Sequence, residues 1–258
     1  MLATLGNATR LRYLETSESP VDSVDIQFGE MLSAHAAAGG RTARWLHRRR
    51  RTIVALFCDL HGFTSFVDGA EPEDVLDLLD EYHGRLGPII DKHRGTVLNY
   101  FGDSVMVLFD DGPRCSDSPI RASRGGLEMR IAVGALTRQW NRRGRTLGFG
   151  VGMALGVAVL APIGCKGSIH HTAIGRVVNL ASRLCSEALD GQVLVSGHLA
   201  RAIDGLARLQ PLGERTLKGF ARPVTISNLQ GLDSPPRGRT VASDPRLSKS
   251  RSRRVPCS

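Results

Sequence analysis

Thr52–Leu60 reads TIVALFCDL and is followed by His61, Gly62, Phe63 and Thr64. Ile53–Cys58 is an unbroken apolar run, too short for a helix that must bury all its faces. The pattern is that of a central strand covered on both sides. Asp59 is the first charge after the run and falls at the strand's C-terminal end. Gly62 then permits a tight turn into a helix start at Phe63-Thr64. A carboxylate at a strand end suits a cation, and the free backbone N–H groups of the turn suit phosphate oxygens.

Downstream, Glu71–His93 opens with Glu-Pro-Glu-Asp, a helix start. It places Val75, Leu78, Leu79, Tyr82, Leu86, Ile89 and Ile90 on one face. Gly95–Phe109 is two apolar runs around Gly102-Asp103, a hairpin pattern. Ser118–Arg142 reads as a second long helix, weakened by Gly125-Gly126. Thr146–Cys165 is uncharged and as long as a membrane span, with Gly148, Gly152 and Gly156 spaced like a helix-dimer face. Its glycines and β-branched residues instead predict a buried strand, a turn at Pro162-Ile163-Gly164 and a further strand, so no transmembrane segment is expected. Val178–Leu189 reads as a helix, and Val193–Ser196, Leu206–Leu212 and Val224–Leu229 as strands.

The order predicts an α+β fold: a ferredoxin-like βαββαβ mixed-sheet core with helices packed on the sheet, extended by C-terminal strands. The expected organisation is a leader over 1–50 with a short helix at 23–37, a folded domain over 51–230, and a basic disordered tail over 231–258. The chain has 258 residues, 41% hydrophobic and 23% charged, an ordinary globular balance. Its net charge of +9 is carried by the six arginines of residues 41–51 and by the tail. The body is therefore slightly acidic, and no specific nucleic-acid partner is expected. Five cysteines, with no CxxC pair and no signal peptide, point to reduced thiols in the cytoplasm.

Asp103 sits at a hairpin tip expected to lie beside the strand of Asp59. Two carboxylates from neighbouring strands suit divalent cations that also take substrate phosphates. Either aspartate alone is as well explained by a helix cap or a Gly-Asp turn. Four linked motifs decide between these readings. Phe57-x-Asp59-x-x-Gly62-Phe63-Thr64, Phe101-Gly102-Asp103, Ile174-Gly175-x-Val177-Val178-Asn179-Leu180-Ala181-Ser182-Arg183-Leu184 and Leu217-Lys218-Gly219-Phe220-x-x-Pro223-Val224 resemble, in order and spacing, class III nucleotide cyclases of bacterial type.

The resemblance implies an adenylate cyclase that converts ATP to 3′,5′-cyclic AMP and pyrophosphate for intracellular signalling. Asp59 and Asp103 match the two metal-binding aspartates, with the Leu60 carbonyl beside them and two Mg²⁺ or Mn²⁺ ions as cofactors. Gly62, Phe63 and Thr64 would take phosphate oxygens. Asn179 and Arg183 match the transition-state pair and, four apart on a helix, share a face. The aspartates and the Asn-Arg pair of one site come from different subunits, which implies a head-to-tail homodimer.

The base-reading positions hold Asn99 and Thr172. Thr172 is an accepted variant, whereas Asn99 replaces a lysine usual in adenylate-forming relatives. Guanylate formation, and a degenerate nucleotide- or partner-binding module, are the alternatives. Lys218 is left open between a triphosphate contact and a solvated lysine.

Overall fold

The computed structural model describes residues 48–110, 117–165 and 168–233. The elements run β1 (Arg49–His61), α1 (Phe63–Asp68), α2 (Pro72–Lys92), β2 (Thr96–Phe101), β3 (Ser104–Asp110) and α3 (Ser118–Asn141). They continue with β4 (Gly148–Cys165), β5 (Ser168–Ile174), α4 (Arg176–Glu187), β6 (Val193–Ser196), α5 (Gly197–Ala202), β7 (Ala207–Arg215) and β8 (Val224–Leu232). The expected helix at 23–37, most of the arginine run and residues 234–258 lie outside the described residues. Among the described residues the chain divides into two units, one holding 50–160 with 172–233 and the other holding 161–171. The first carries every residue singled out above for chemistry.

The sheet order is β2-β3-β1-β4-β6-β8-β7, with β5 paired to β4. The apolar run of β1 is interior as expected, and all of Ile53–Cys58 is buried. It pairs antiparallel with β3 from Ile53↔Asp110 to Cys58↔Val105. β4 and β6 pair in parallel, while β6–β8 and β7–β8 are antiparallel. The sheet is therefore mixed, with its βαββαβ core extended by C-terminal strands.

The buried face of α2 consists of the seven residues that the spacing selects, Val75 to Ile90. Tyr82 at its centre donates from its hydroxyl to the Cys58 Sγ at 3.5 Å and meets the Phe149 ring edge-on. Gly125-Gly126, which weakens α3 as a sequence, serves packing. Phe109 and His93 lie beside Gly125, and the Met153 side chain lies beside Gly126.

Because strand side chains alternate between faces, Gly152 looks the opposite way from Met153. On that side the backbone of α4 at Ala181 and Cys185 occupies the space a Cβ would need. Gly150 faces His61 and Ala188, and Gly156 faces Val177, along the same line. Helices α3 and α4 therefore cover opposite faces of β4. The glycine spacing that imitates a membrane helix is the seat of α4 on a strand. Among the described residues no helix is long and apolar enough to cross a membrane.

One expectation needs correction, and one element was not anticipated. No turn occurs at Pro162-Ile163-Gly164, since β4 runs on to Cys165 and β5 starts at Ser168. Proline has a φ within the extended range and costs a strand only one N–H donor. The short helix α5 had no apolar period to reveal it. Its cap was legible, however, because the Ser196 hydroxyl accepts from the Leu199 N–H at 3.4 Å.

Candidate active site

The β1–β3 register fixes the acidic half. Cys58 pairs with Val105, so Asp59, one step on, meets Ser104 at the start of β3 and Asp103 in the turn before it. Both aspartates are half-buried. The Leu60 N–H donates to Asp103 Oδ2 at 3.1 Å, and the two carboxyl groups share a hydrogen bond. Burial, and then the charge of Asp59, push the Asp103 carboxyl well above the usual carboxylate range. Burial also raises Asp59, opposed by the positive charge available at His61 and by hydrogen bonds from Asp103 and Ser104. Two like charges at this separation favour retention of a proton between them.

The turn after β1 is held from behind. Gly62 has φ 78° and caps α1 through its carbonyl, which accepts from the Phe66 N–H at 2.9 Å. The Thr146 carbonyl occupies the place of a Gly62 Cβ, so only glycine fits on both conformational and steric grounds. Asn141 clamps the next residue. Its Nδ2 donates to the Leu147 carbonyl at 2.8 Å, and its Oδ1 accepts from the Leu147 N–H at 2.7 Å. The Arg145 guanidinium lies 5.0 Å over the Phe66 ring and reaches Asp74 at 3.4 Å. Sequence reading missed this brace, because a polar residue at a helix end and a loop arginine carry no periodic signal.

The second half is built on α4. Val177, Leu180, Ala181, Leu184 and Cys185 are buried, which turns Asn179 and Arg183 to the exposed face. They line a cleft of about 760 Å³ together with Arg176, Lys218, Phe220 and Arg222, and no carboxylate lines it. The opposite wall is the LKGF turn. Leu217 is buried, Gly219 has φ 85°, and the Phe220 N–H donates to the Leu217 carbonyl at 3.0 Å. Glycine at the third place of such a turn is what a type II geometry requires, and Lys218 is thereby projected outward. Arg176 and Arg222 were not singled out from the sequence. The first was detectable, standing three and seven residues before Asn179 and Arg183 and so on their face.

The structure brings Asp59, Leu60 and Asp103 together, with the Gly62–Thr64 turn directly after them. It brings Asn179 and Arg183 together with Lys218. The cleft lining includes neither aspartate. Asn99 lies on the end strand β2, opposite Met106 and next to a register shift. Thr172 lies on β5, which pairs with β4, so the two residues are not on neighbouring strands.

Among the described residues no cluster of three or more His, Cys, Asp or Glu side chains could hold a metal. The donor set at β1–β3 is two carboxylates and nearby backbone. Mg²⁺ keeps waters and takes phosphate oxygens beside one or two carboxylates, so the residues present fit such an ion bound together with a nucleotide.

The pattern of the adenylate and guanylate cyclase catalytic domain matches residues 46–229, and the chain belongs to that family. The chain is 28% identical over 201 residues to adenylate cyclase 1 of Rhizobium meliloti (strain 1021), covering 75% of this chain and 29% of that protein. The chain thus spans less than a third of that relative's length. The adenylyl cyclase CyaB from P. aeruginosa superposes with a TM-score of 0.68 at 32% identity, covering 74% of this chain and 98% of that one. The guanylyl cyclase Cya2 does so with a TM-score of 0.66, also at 32% identity, over 73% and 96%.

Proposed function

We propose that this chain is an adenylate cyclase, forming 3′,5′-cyclic AMP and pyrophosphate from ATP at sites shared between two copies of itself. The disposition of α4 carries the reading. Its apolar side is seated on the sheet, and Asn179 and Arg183 leave from the exposed side into a cleft lined by no carboxylate. The carboxylates Asp59 and Asp103 meet at the β1–β3 end instead. Two incomplete sets of opposite charge become complete when two copies pair head-to-tail, giving two equivalent sites.

In this reading Asp59, Asp103 and the Leu60 carbonyl would hold two divalent cations, Mg²⁺ or Mn²⁺. When bound, these acidify the ribose 3′-OH and neutralise the triphosphate. Asn179 orients the ribose, and the N–H groups of Gly62, Phe63 and Thr64 donate hydrogen bonds to phosphate oxygens. The 3′-oxygen bonds to the α-phosphorus, its proton passes to solvent, and the bond to the bridging oxygen breaks to release pyrophosphate. Arg183 meets the negative charge that builds on the α-phosphate oxygens. Asn99 and Thr172 present donors and acceptors to the base. The reaction supplies an intracellular signal in the cytoplasm, where Cys58 and Cys185 stay free.

Formation of cyclic GMP is the second reading, favoured by the equal identity to CyaB and Cya2. Purified protein is incubated with Mn²⁺ and either ATP or GTP, and the product is identified by mass spectrometry. Cyclic AMP lost in Asp59→Ala is the expected result. Cyclic GMP alone overturns the base assignment. No cyclic product from folded, dimeric protein overturns the cyclase reading in favour of a degenerate binding module.

A further inference from the structure

The cleft beside α4 holds more positive charge than the Asn179–Arg183 pair requires. Arg176, Arg183, Lys218 and Arg222 converge on about 760 Å³ with no carboxylate in the lining. Arg176 is the first residue of α4, where the helix dipole disfavours a cation, and the first turn has no acidic side chain to offset it. Its guanidinium is nevertheless held 5.0 Å over the Phe220 ring, at the turn that projects Lys218 and leads to Arg222. Arg176, Asn179 and Arg183 stand at i, i+3 and i+7, one stripe along the exposed face. Four cations on two facing walls repel one another unless a polyanion lies between them. Arginine forks suit phosphate oxygens bidentately.

We propose that Arg176 and Arg222 are polyphosphate ligands: they grip the terminal phosphates of the nucleotide, and pyrophosphate after cleavage, from the two walls of this cleft. The proposal deepens the function above and rests on this cleft being the cationic half of that site. It adds a specificity statement. With a neutral Asn99 at the base, affinity comes from the phosphate end, so inorganic tripolyphosphate alone suffices as a ligand.

The test titrates inorganic tripolyphosphate into the full chain by calorimetry at fixed salt, without nucleotide. Wild type binds, and Arg176→Ala and Arg222→Ala each weaken binding by about tenfold. Arg176→Lys and Arg222→Lys recover part of the loss, because charge is kept and the fork is not. Arg208→Ala, on β7 beside Asp233, leaves binding unchanged. The nucleotide KM rises in the same two alanine variants. All of these side chains are exposed, and unchanged melting temperatures confirm that the variants are folded.

Binding that is absent in wild type, unchanged in both alanine variants, or lowered equally by Arg208→Ala overturns the proposal. Arginine-dependent binding in a protein that makes no cyclic nucleotide sinks the cyclase reading and keeps this one. Turnover with arginine-independent binding does the reverse.

Discussion

The two charged regions are built by different means. The Asp59–Asp103 pair is placed by backbone: a strand register, a hairpin tip and one N–H from Leu60. It is half-buried: burial raises the proton affinity of both carboxyls, and the charge of Asp59 raises that of Asp103 further. The cationic cleft is placed by side chains on an exposed helix face and one turn. The first gains its strength from low dielectric and the second from number. Each is electrostatically unfavourable alone. What relieves one is a cation and what relieves the other is a polyanion, and a metal–nucleotide complex is both.

Removing a carboxylate tests the acidic half most severely. Asp59→Asn is expected to lower kcat/KM by at least about a thousandfold, while metal-free protein melts at or above the wild-type temperature. Activity and Tm thus move in opposite directions, because a like-charge repulsion has gone. A lower Tm with retained activity makes the pair a structural feature only.

The separation of the halves is tested by mixing. Asp59→Ala and Arg183→Ala chains, each inactive, should recover about a quarter of wild-type turnover when co-refolded, since half the dimers carry one intact site. No recovery, with heterodimers verified, puts both halves in one copy.

The seat of α4 should be intolerant where the acidic half is not involved. Gly152→Ala drives a Cβ into the backbone of Ala181 and Cys185, at a cost of about 3 kcal/mol in urea unfolding. Gly134→Ala, whose Cβ meets only the end of Arg138, is expected to stabilise α3 by about 0.5–1 kcal/mol. Equal effects at both sites deny the close packing.

A smaller effect comes with pH. Burial lowers His83 from 6.5 to about 4, opposed by Asp80. Between these values the unfolded chain binds the extra proton. The stability tied to neutral His83 is therefore complete above about pH 6.5 and is lost, by at most about 3 kcal/mol, as pH falls towards 4. The raised carboxyl pair has the opposite slope, so the two separate in the difference between wild type and His83→Gln. A pH-independent difference between pH 4.5 and 7 removes the histidine contribution.

Legibility followed the same division. Period and continuity of apolar residues disclose β1, the seven-residue face of α2 and the Gly102-Asp103 hairpin, because burial on one face or two imposes them directly. The four motifs disclosed Asp59, Asp103, Asn179 and Arg183 as positions but gave no distances. Arg222 escaped because an exposed cation looks the same in sequence whether it faces solvent or a cleft, whereas Arg176 was legible from its spacing to Asn179 and Arg183 and was passed over. The brace behind Gly62, from the Thr146 carbonyl and the Asn141–Leu147 clamp, escaped because backbone carbonyls and a helix-end amide leave no pattern. The strand end at Cys165 was placed too early, because proline and glycine signal a turn only when nothing else pairs with the strand.

The glycine line of β4 also sets a manufacturing tolerance. Where side chains lie between a helix and a sheet, rotamers take up small errors, and the helix can ride up or down by fractions of an ångström. At Gly152 nothing lies between, so the height of α4 above the sheet is fixed by the thickness of two backbones. Asn179 and Arg183 inherit that height without adjustment. Each glycine costs the strand about 0.5–1 kcal/mol in chain entropy, and in return the guanidinium of Arg183 stands on a gauge block rather than on a cushion.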